Sequence, residues 1–225
     1  MRRRPTLKTI RPPLRYPFTV LGLTGSIAMG KSTAAKILQQ LGVPVFDADA
    51  AVHSLMKPGT ATTTAIEKRF PGATNDRGVD RQKLGTIVFA DPKALKDLEQ
   101  IVHPQTRALR EQFLRQAALQ RRTFVALDIP LLFEIKGERL CDAAIVVSAP
   151  AFLQKQRALA RPGMTETRLK GILSRQMPDA EKRRRADAVV VSGLGKRVTL
   201  RGLLKFLRLH KQRKSLTPKI GRTTR

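Results

Sequence analysis

The sequence predicts an α/β protein: a five-stranded parallel sheet with helices on both faces. Three observations carry this reading. Five short runs, at 18–23, 43–46, 124–129, 143–148 and 188–192, are almost wholly apolar, as strands buried on both sides are. Between them lie stretches with apolar residues at helical spacing. The chain has 225 residues, 41% of them hydrophobic, enough for one such core.

The elements follow in order. FTVLGL at 18–23 reads as a buried strand. Ala34, Ala35, Ile37, Leu38 and Leu41 mark a helix over 31–41, with Gly42 as its stop. The second strand ends in Asp47, Ala48 and Asp49, and Asp49 is expected to open a helix carrying His53, Leu55 and Met56. Residues 57–80 read as turn-rich, with turns at Lys57-Pro58-Gly59, Pro71-Gly72 and Asn75-Asp76-Arg77-Gly78. Helical spacing resumes over about 81–90 and about 92–120, with His103-Pro104 expected to cap or turn a helix boundary. The third strand ends near Asp128. Helices near 150–160 and 165–176 are joined by Arg161-Pro162-Gly163, and a last helix covers about 197–211. Residues 1–17 read as a disordered basic extension, 18–211 as the folded domain and 212–225 as a basic tail.

The net charge is +27, from 44 basic and 17 acidic residues. Residues 1–17 hold six basic residues and no acid, and residues 201–225 hold nine and none, so the ends carry more than half the excess. A cleft for polyphosphate, a nucleic-acid arm or simply solvated tails would each give such a field. The single tyrosine and nine phenylalanines, mostly inside apolar runs, offer few platforms for base stacking. Nucleic acid is therefore not expected as the main partner. The segment 1–17 lacks the apolar core of a secretory signal, and no run of 18 apolar residues exists. The lone Cys141 rules out a disulfide framework and fits a reducing, cytoplasmic setting.

The strongest chemical signal is Gly25, Ser26, Ile27, Ala28, Met29, Gly30, Lys31 and Ser32, followed by Thr33. It fits G-x-x-x-x-G-K-[ST] and lies between an expected strand and an expected helix, which makes the fold class that of a P-loop NTPase. Backbone N–H groups of residues 26–33 are expected to turn around phosphate oxygens, aided by the positive end of the helix. Gly30 brings the backbone close to a phosphate. Lys31 reaches the β- and γ-phosphates, and the Ser32 hydroxyl is the expected ligand for Mg²⁺.

Carboxylates stand where ligands bind in open α/β sheets, beyond the carboxyl ends of strands. Asp47 or Asp49 is placed to accept a hydroxyl proton during phosphoryl transfer, or to cap the next helix. Asp128 stands where a second acid near Mg²⁺ is found, or serves as a turn carboxylate before Pro130. Arg157 and Arg161 share a helix face and suit phosphate, although a solvated basic face has the same spacing. His53, His103 and His210 share no metal-ligand spacing. The Lys182–Arg185 run reads as a solvated face.

GLTGSIAMGKST, the strand-end DAD, His103-Pro104 and DIPLLFE at 128–134 together resemble the dephospho-coenzyme A kinase family. So does the segment with Arg157, Arg161, Met164 and Ser174-Arg175-Gln176. The resemblance covers roughly residues 18–210. It implies transfer of the ATP γ-phosphoryl group to the ribose 3′-hydroxyl of dephospho-coenzyme A, with ATP and Mg²⁺ as cofactors. It implies an acceptor-binding helical region over about 50–120 and a lid over about 150–176, in a monomer or weak homo-oligomer. Asp49 resembles the catalytic carboxylate. Lys31 and Arg157 resemble the residues that stabilise the transferred phosphate, with Arg161 beside them on ATP. Asp49, His103, Asp128 and Leu131 fall on the acceptor side. The family loop reads G-G-I-G-x-G-K-S, so Ser26 and Ala28 replace glycines here, and Ala28 disfavours a left-handed backbone. Another nucleoside or nucleotide kinase, or a basic nucleic-acid-binding protein with a P-loop, are the competing readings.

Overall fold

The computed structural model describes residues 16–216. Its centre is a sheet of five parallel strands: β1 (Thr19–Thr24), β2 (Val45–Asp47), β5 (Phe124–Asp128), β6 (Ala143–Ser148) and β7 (Ala188–Val191), in the order β2-β5-β1-β6-β7. Every residue of β1, β5 and β6 is buried, which explains why these strands read as unbroken apolar runs rather than alternating ones.

Helices cover both faces. On one face, Ile37 and Leu38 of α1 (Lys31–Gln40) and Leu203 of α9 (Lys196–Leu216) pack with Leu21, Leu23, Ile145 and Val190. On the other, Leu114 and Ala117 of α5 (Pro92–Leu119) pack with Val20, Leu127, Leu132 and Phe133. A separate cluster centred on Ile66, Phe70, Leu84, Val88 and Val102 holds the helical region together. That region comprises α2 (Ala48–Leu55), α3 (Ala61–Arg69), α4 (Arg81–Ala90) and the first half of α5. The segment expected as a lid comprises α6 (Ala151–Leu159) and α7 (Glu166–Leu173), followed by α8 (Asp179–Arg185).

Three expectations need correction, and the turn-rich stretch 57–80 holds elements not foreseen in it. Between its expected turns α3 forms, and the antiparallel pair β3 (Thr74–Asn75) and β4 (Gly78–Val79) follows. The Thr62–Thr64 run is a poor helix former, but Thr60 caps the helix by accepting from the Thr63 N–H, and burial of Thr62, Thr63 and Ile66 decides the outcome. His103-Pro104 marks no boundary, because α5 runs through Pro104 for 28 residues. The ring removes the bond to the carbonyl of Gln100, which sits on an exposed face open to solvent. Asp47, not Asp49, caps α2, accepting from the Ala50 N–H at 2.9 Å. Finally, Lys182 in the basic run is fully buried rather than solvated.

The last helix continues to Leu216, five residues past its expected end. At the other end, the Tyr16 ring stacks on Phe18, with centroids 5.2 Å apart. The expected extension and tail lie outside the described residues but for Tyr16, Pro17 and the end of α9. Among the described residues no helix is long and apolar enough to cross a membrane.

Candidate active site

The cleft lies at the carboxyl ends of the strands, where the β1–α1 loop turns against α6 and α7. Its volume is about 660 Å³. All of Gly25 to Thr33 line it, together with Asp49, Arg157 and Arg161, so the structure gathers most of the sequence-predicted set. Asp128 lies behind the loop, bonded to Lys31. Leu131 is partly exposed on the turn that follows, beside Pro130, which does line the cleft. His103 sits on an exposed face of α5 and is not among the lining residues.

The loop's shape follows from two residues with positive φ. Gly30 has φ +87°, and a Cβ there would meet the Ser192 hydroxyl oxygen at 2.8 Å. Ala28 has φ +61°, the left-handed conformation its side chain resists. Its methyl is buried against Ala158 and Leu169 of the lid segment, which offsets part of that cost. Ile27, next to it, is clamped by two amides. Its N–H donates to Gln176 Oε1 at 3.1 Å, and its carbonyl accepts from Gln154 Nε2 at 3.0 Å.

The expectation that every N–H of residues 26–33 faces phosphate is therefore narrowed. The Ile27 N–H is taken by Gln176, that of Met29 by the Ser26 carbonyl and that of Thr33 by the Gly30 carbonyl. The N–H groups of Ser26, Ala28, Gly30, Lys31 and Ser32 remain, the last two in the first turn of α1, where the helix end favours an anion.

Lys31 Nζ donates to Asp128 Oδ1 at 2.5 Å. Asp128 pairs in register with Asp47 on β2 and Leu23 on β1, so β5 delivers it to the mouth of the loop. Burial pushes its carboxyl above the ordinary 3.8; the Lys31 ammonium pulls it back, and the Asp47 and Asp49 charges add to the rise. A carboxylate held in this way favours a nearby cation. Asp49, in the first turn of α2, is exposed to the cleft.

Sequence reasoning missed Ser192. Its hydroxyl donates to the Met29 carbonyl at 2.6 Å, and its side chain and carbonyl accept from Arg157 at 3.3 and 3.2 Å. It follows the fifth strand directly, so the strand-end rule applied to Asp49 and Asp128 also pointed to it. Gln154 carried no such signal, because a glutamine on a helical pattern is usually surface, and Gln176 stood out only within the segment that carried the family resemblance. Lys196 and Thr199, at the start of α9, complete the wall beside Ser192.

A phosphate loop at the first strand of a parallel sheet, with an ammonium, two guanidinium groups and a strand-end carboxylate around one cleft, defines a P-loop phosphotransferase. The dephospho-CoA kinase family model matches residues 19–195. The chain is 57% identical over 164 residues to the dephospho-CoA kinase of Paramagnetospirillum magneticum, covering 73% of this chain and 77% of that one. It is 53% identical over 185 residues to that of Rhodospirillum rubrum, covering 82% and 88%. Among solved structures, TT1252 from Thermus thermophilus superposes with a TM-score of 0.78 at 33% identity, covering 91% of this chain and all of that one. The dephospho-CoA kinase of Campylobacter jejuni superposes with a TM-score of 0.58 at 26% identity, covering 85% and 96%.

The chain belongs to the dephospho-CoA kinase family, ATP-dependent transferases that act in the last step of coenzyme A biosynthesis. The competing kinase and nucleic-acid readings are not favoured.

Proposed function

We propose that the residues of this cleft divide the phosphoryl transfer as follows. ATP lies along the loop with its γ-phosphate at Lys31 and the start of α1. The ribose 3′-hydroxyl of dephospho-coenzyme A enters from the side of the helical region and faces Asp49. As the 3′-oxygen bonds to the γ-phosphorus, the bond to the β–γ bridging oxygen breaks. The hydroxyl proton passes to the Asp49 carboxylate, and ADP leaves with the bridging oxygen. Lys31 and Arg157 stabilise the charge on the transferred group, and Arg161 neutralises charge on the nucleotide phosphates.

The observation that carries this division is the placement of Asp49 and Lys31 on one cleft. Asp47 is occupied as a helix cap, which leaves Asp49 for the chemistry. Mg²⁺ fits the donors present. Ser32 and Asp128 offer hard oxygens beside Asp47 and Asp49, and no cluster of three metal-ligating side chains forms among the described residues. Ser32 and Asp128 would hold the ion, with phosphate oxygens and water completing its shell. When bound it supplies charge neutralisation between phosphates. Asp128, Leu131 and, more remotely, His103 belong to the acceptor side in this reading. The protein works in the cytoplasm as a monomer or weak homo-oligomer.

A coupled assay of ADP release tests the reading. Purified protein with Mg·ATP turns over on adding dephospho-coenzyme A. Background ADP only, or faster turnover on nucleosides, contradicts it.

A further inference from the structure

Lys182 is the one basic side chain among the described residues that is fully shielded from solvent. A buried charge of this kind rarely stabilises a protein more than an apolar side chain of the same volume. Its contacts show what it does instead. Its ammonium lies 2.9 Å from Glu134 Oε1 and 3.4 Å from the Pro130 carbonyl. The same Glu134 oxygen accepts the Met177 N–H at 2.8 Å, and the same Pro130 carbonyl accepts the Thr24 hydroxyl at 2.9 Å.

One of these partners lines the cleft, and two adjoin residues that do. Pro130 lines it, two residues beyond Asp128. Thr24 immediately precedes the phosphate loop. Met177 follows Gln176, whose amide holds the Ile27 N–H. One ammonium thus joins the β1 end, the turn after β5 and the exit of the lid. Burial would push the Glu134 carboxyl up, but the Lys182 ammonium and the Met177 N–H hold it below its ordinary 4.5.

We propose that Lys182 is a positioning residue for phosphoryl transfer. With Glu134 it fixes the Pro130 wall and the lid exit in one register with the phosphate loop. This rests on the kinase reading above and adds a residue that touches neither substrate. A purely structural ion pair is the competing account, and the two separate kinetically. Lys182→Met strands the Glu134 charge and lowers Tm on the order of 10 °C. Lys182→Met/Glu134→Gln removes both charges and keeps an amide oxygen for the Met177 N–H, so Tm returns most of the way.

In that double variant, kcat with dephospho-coenzyme A stays about tenfold below the unmodified protein, with KM for ATP changed less than about twofold. Recovery of kcat along with Tm overturns the proposal, as does a loss confined to KM for ATP. If the double variant stays unstable, Glu134→Gln alone decides. It retains the lysine and its Pro130 contact, and its kcat falls less than that of Lys182→Met; an equal or larger fall overturns the proposal. Absence of turnover in the unmodified protein would instead sink the kinase reading.

Discussion

Two lysine–carboxylate pairs flank the 128–134 segment, and they are built in opposite ways. In Lys31–Asp128 the carboxylate is buried, at 5% exposure, and the ammonium reaches the cleft at 18%. In Lys182–Glu134 the ammonium is wholly buried and the carboxylate is the more exposed partner, at 17%. The first carboxyl is raised above its ordinary value by burial and the second is lowered by its partners. A cation on the accessible side of a half-buried pair can exchange its partner for a phosphate. A cation with no route to solvent cannot leave. On the proposed reading the same residue types serve chemistry in one pair and register in the other, and burial decides which.

This contrast breaks most sharply at the lysines. Lys31→Met lowers kcat by at least about 10²–10³-fold, while Tm falls less than for Lys182→Met, because Asp128, whose carboxyl burial already raises, can take up a proton once its ammonium is gone; steady-state ADP release and a thermal melt check it. A large fall in Tm with kcat intact would reverse the assignment of the two pairs. Lys182→Met acts the other way round, costing about 3–5 kcal/mol of stability by leaving Glu134 unpaired; denaturant unfolding measures it. A cost below about 1 kcal/mol, typical of surface pairs, would show that water reaches the pair.

A smaller effect is expected at Ser192. Ser192→Ala removes the hydroxyl that bonds Met29 and one Arg157 contact, worth about 0.5–1.5 kcal/mol. That lowers kcat/KM for ATP by about threefold to tenfold. No change would mean that Arg157 is positioned by the Ser192 carbonyl alone.

The pH dependence of stability sharpens the comparison further, because the two carboxyls have opposite signs. Glu134 has a folded value below 4.5, so its contribution is present above 4.5 and is lost as pH falls through the folded value. Asp128 has a folded value above 3.8, so its contribution is present below 3.8 and is lost as pH rises through the folded value. Thermal melts between about pH 3 and 7 compare the protein with Glu134→Gln and Asp128→Asn. The advantage over Glu134→Gln grows with pH and that over Asp128→Asn shrinks. Parallel trends contradict the assignment.

Much of this was legible in the sequence for definite reasons. Strands buried on both faces read as apolar runs, and all five were placed to within about two residues, the usual uncertainty of element ends. The loop was legible because it needs a fixed spacing between strand and helix. Asp49 and Asp128 were legible because strand ends point to ligands. What stayed hidden depended on tertiary contacts. Lys182 looks like any member of a basic run, and only the packing of α8 beneath β6 buries it. Gln154 and Gln176 meet at Ile27 from positions 22 residues apart, and no local pattern announces that meeting. The α3 helix was hidden because its threonines favour strands or turns when taken alone.

The central claim is that Asp49 receives a proton while Lys31 and the loop hold the nucleotide. Asp49→Asn, with kcat and ATP dissociation constant measured on the same preparation, addresses it directly. The account predicts a fall in kcat of about 10²–10⁴-fold with ATP binding within about threefold of the unmodified protein. A dissociation constant that rises as steeply as kcat falls would show that Asp49 holds the nucleotide or its metal and takes no proton.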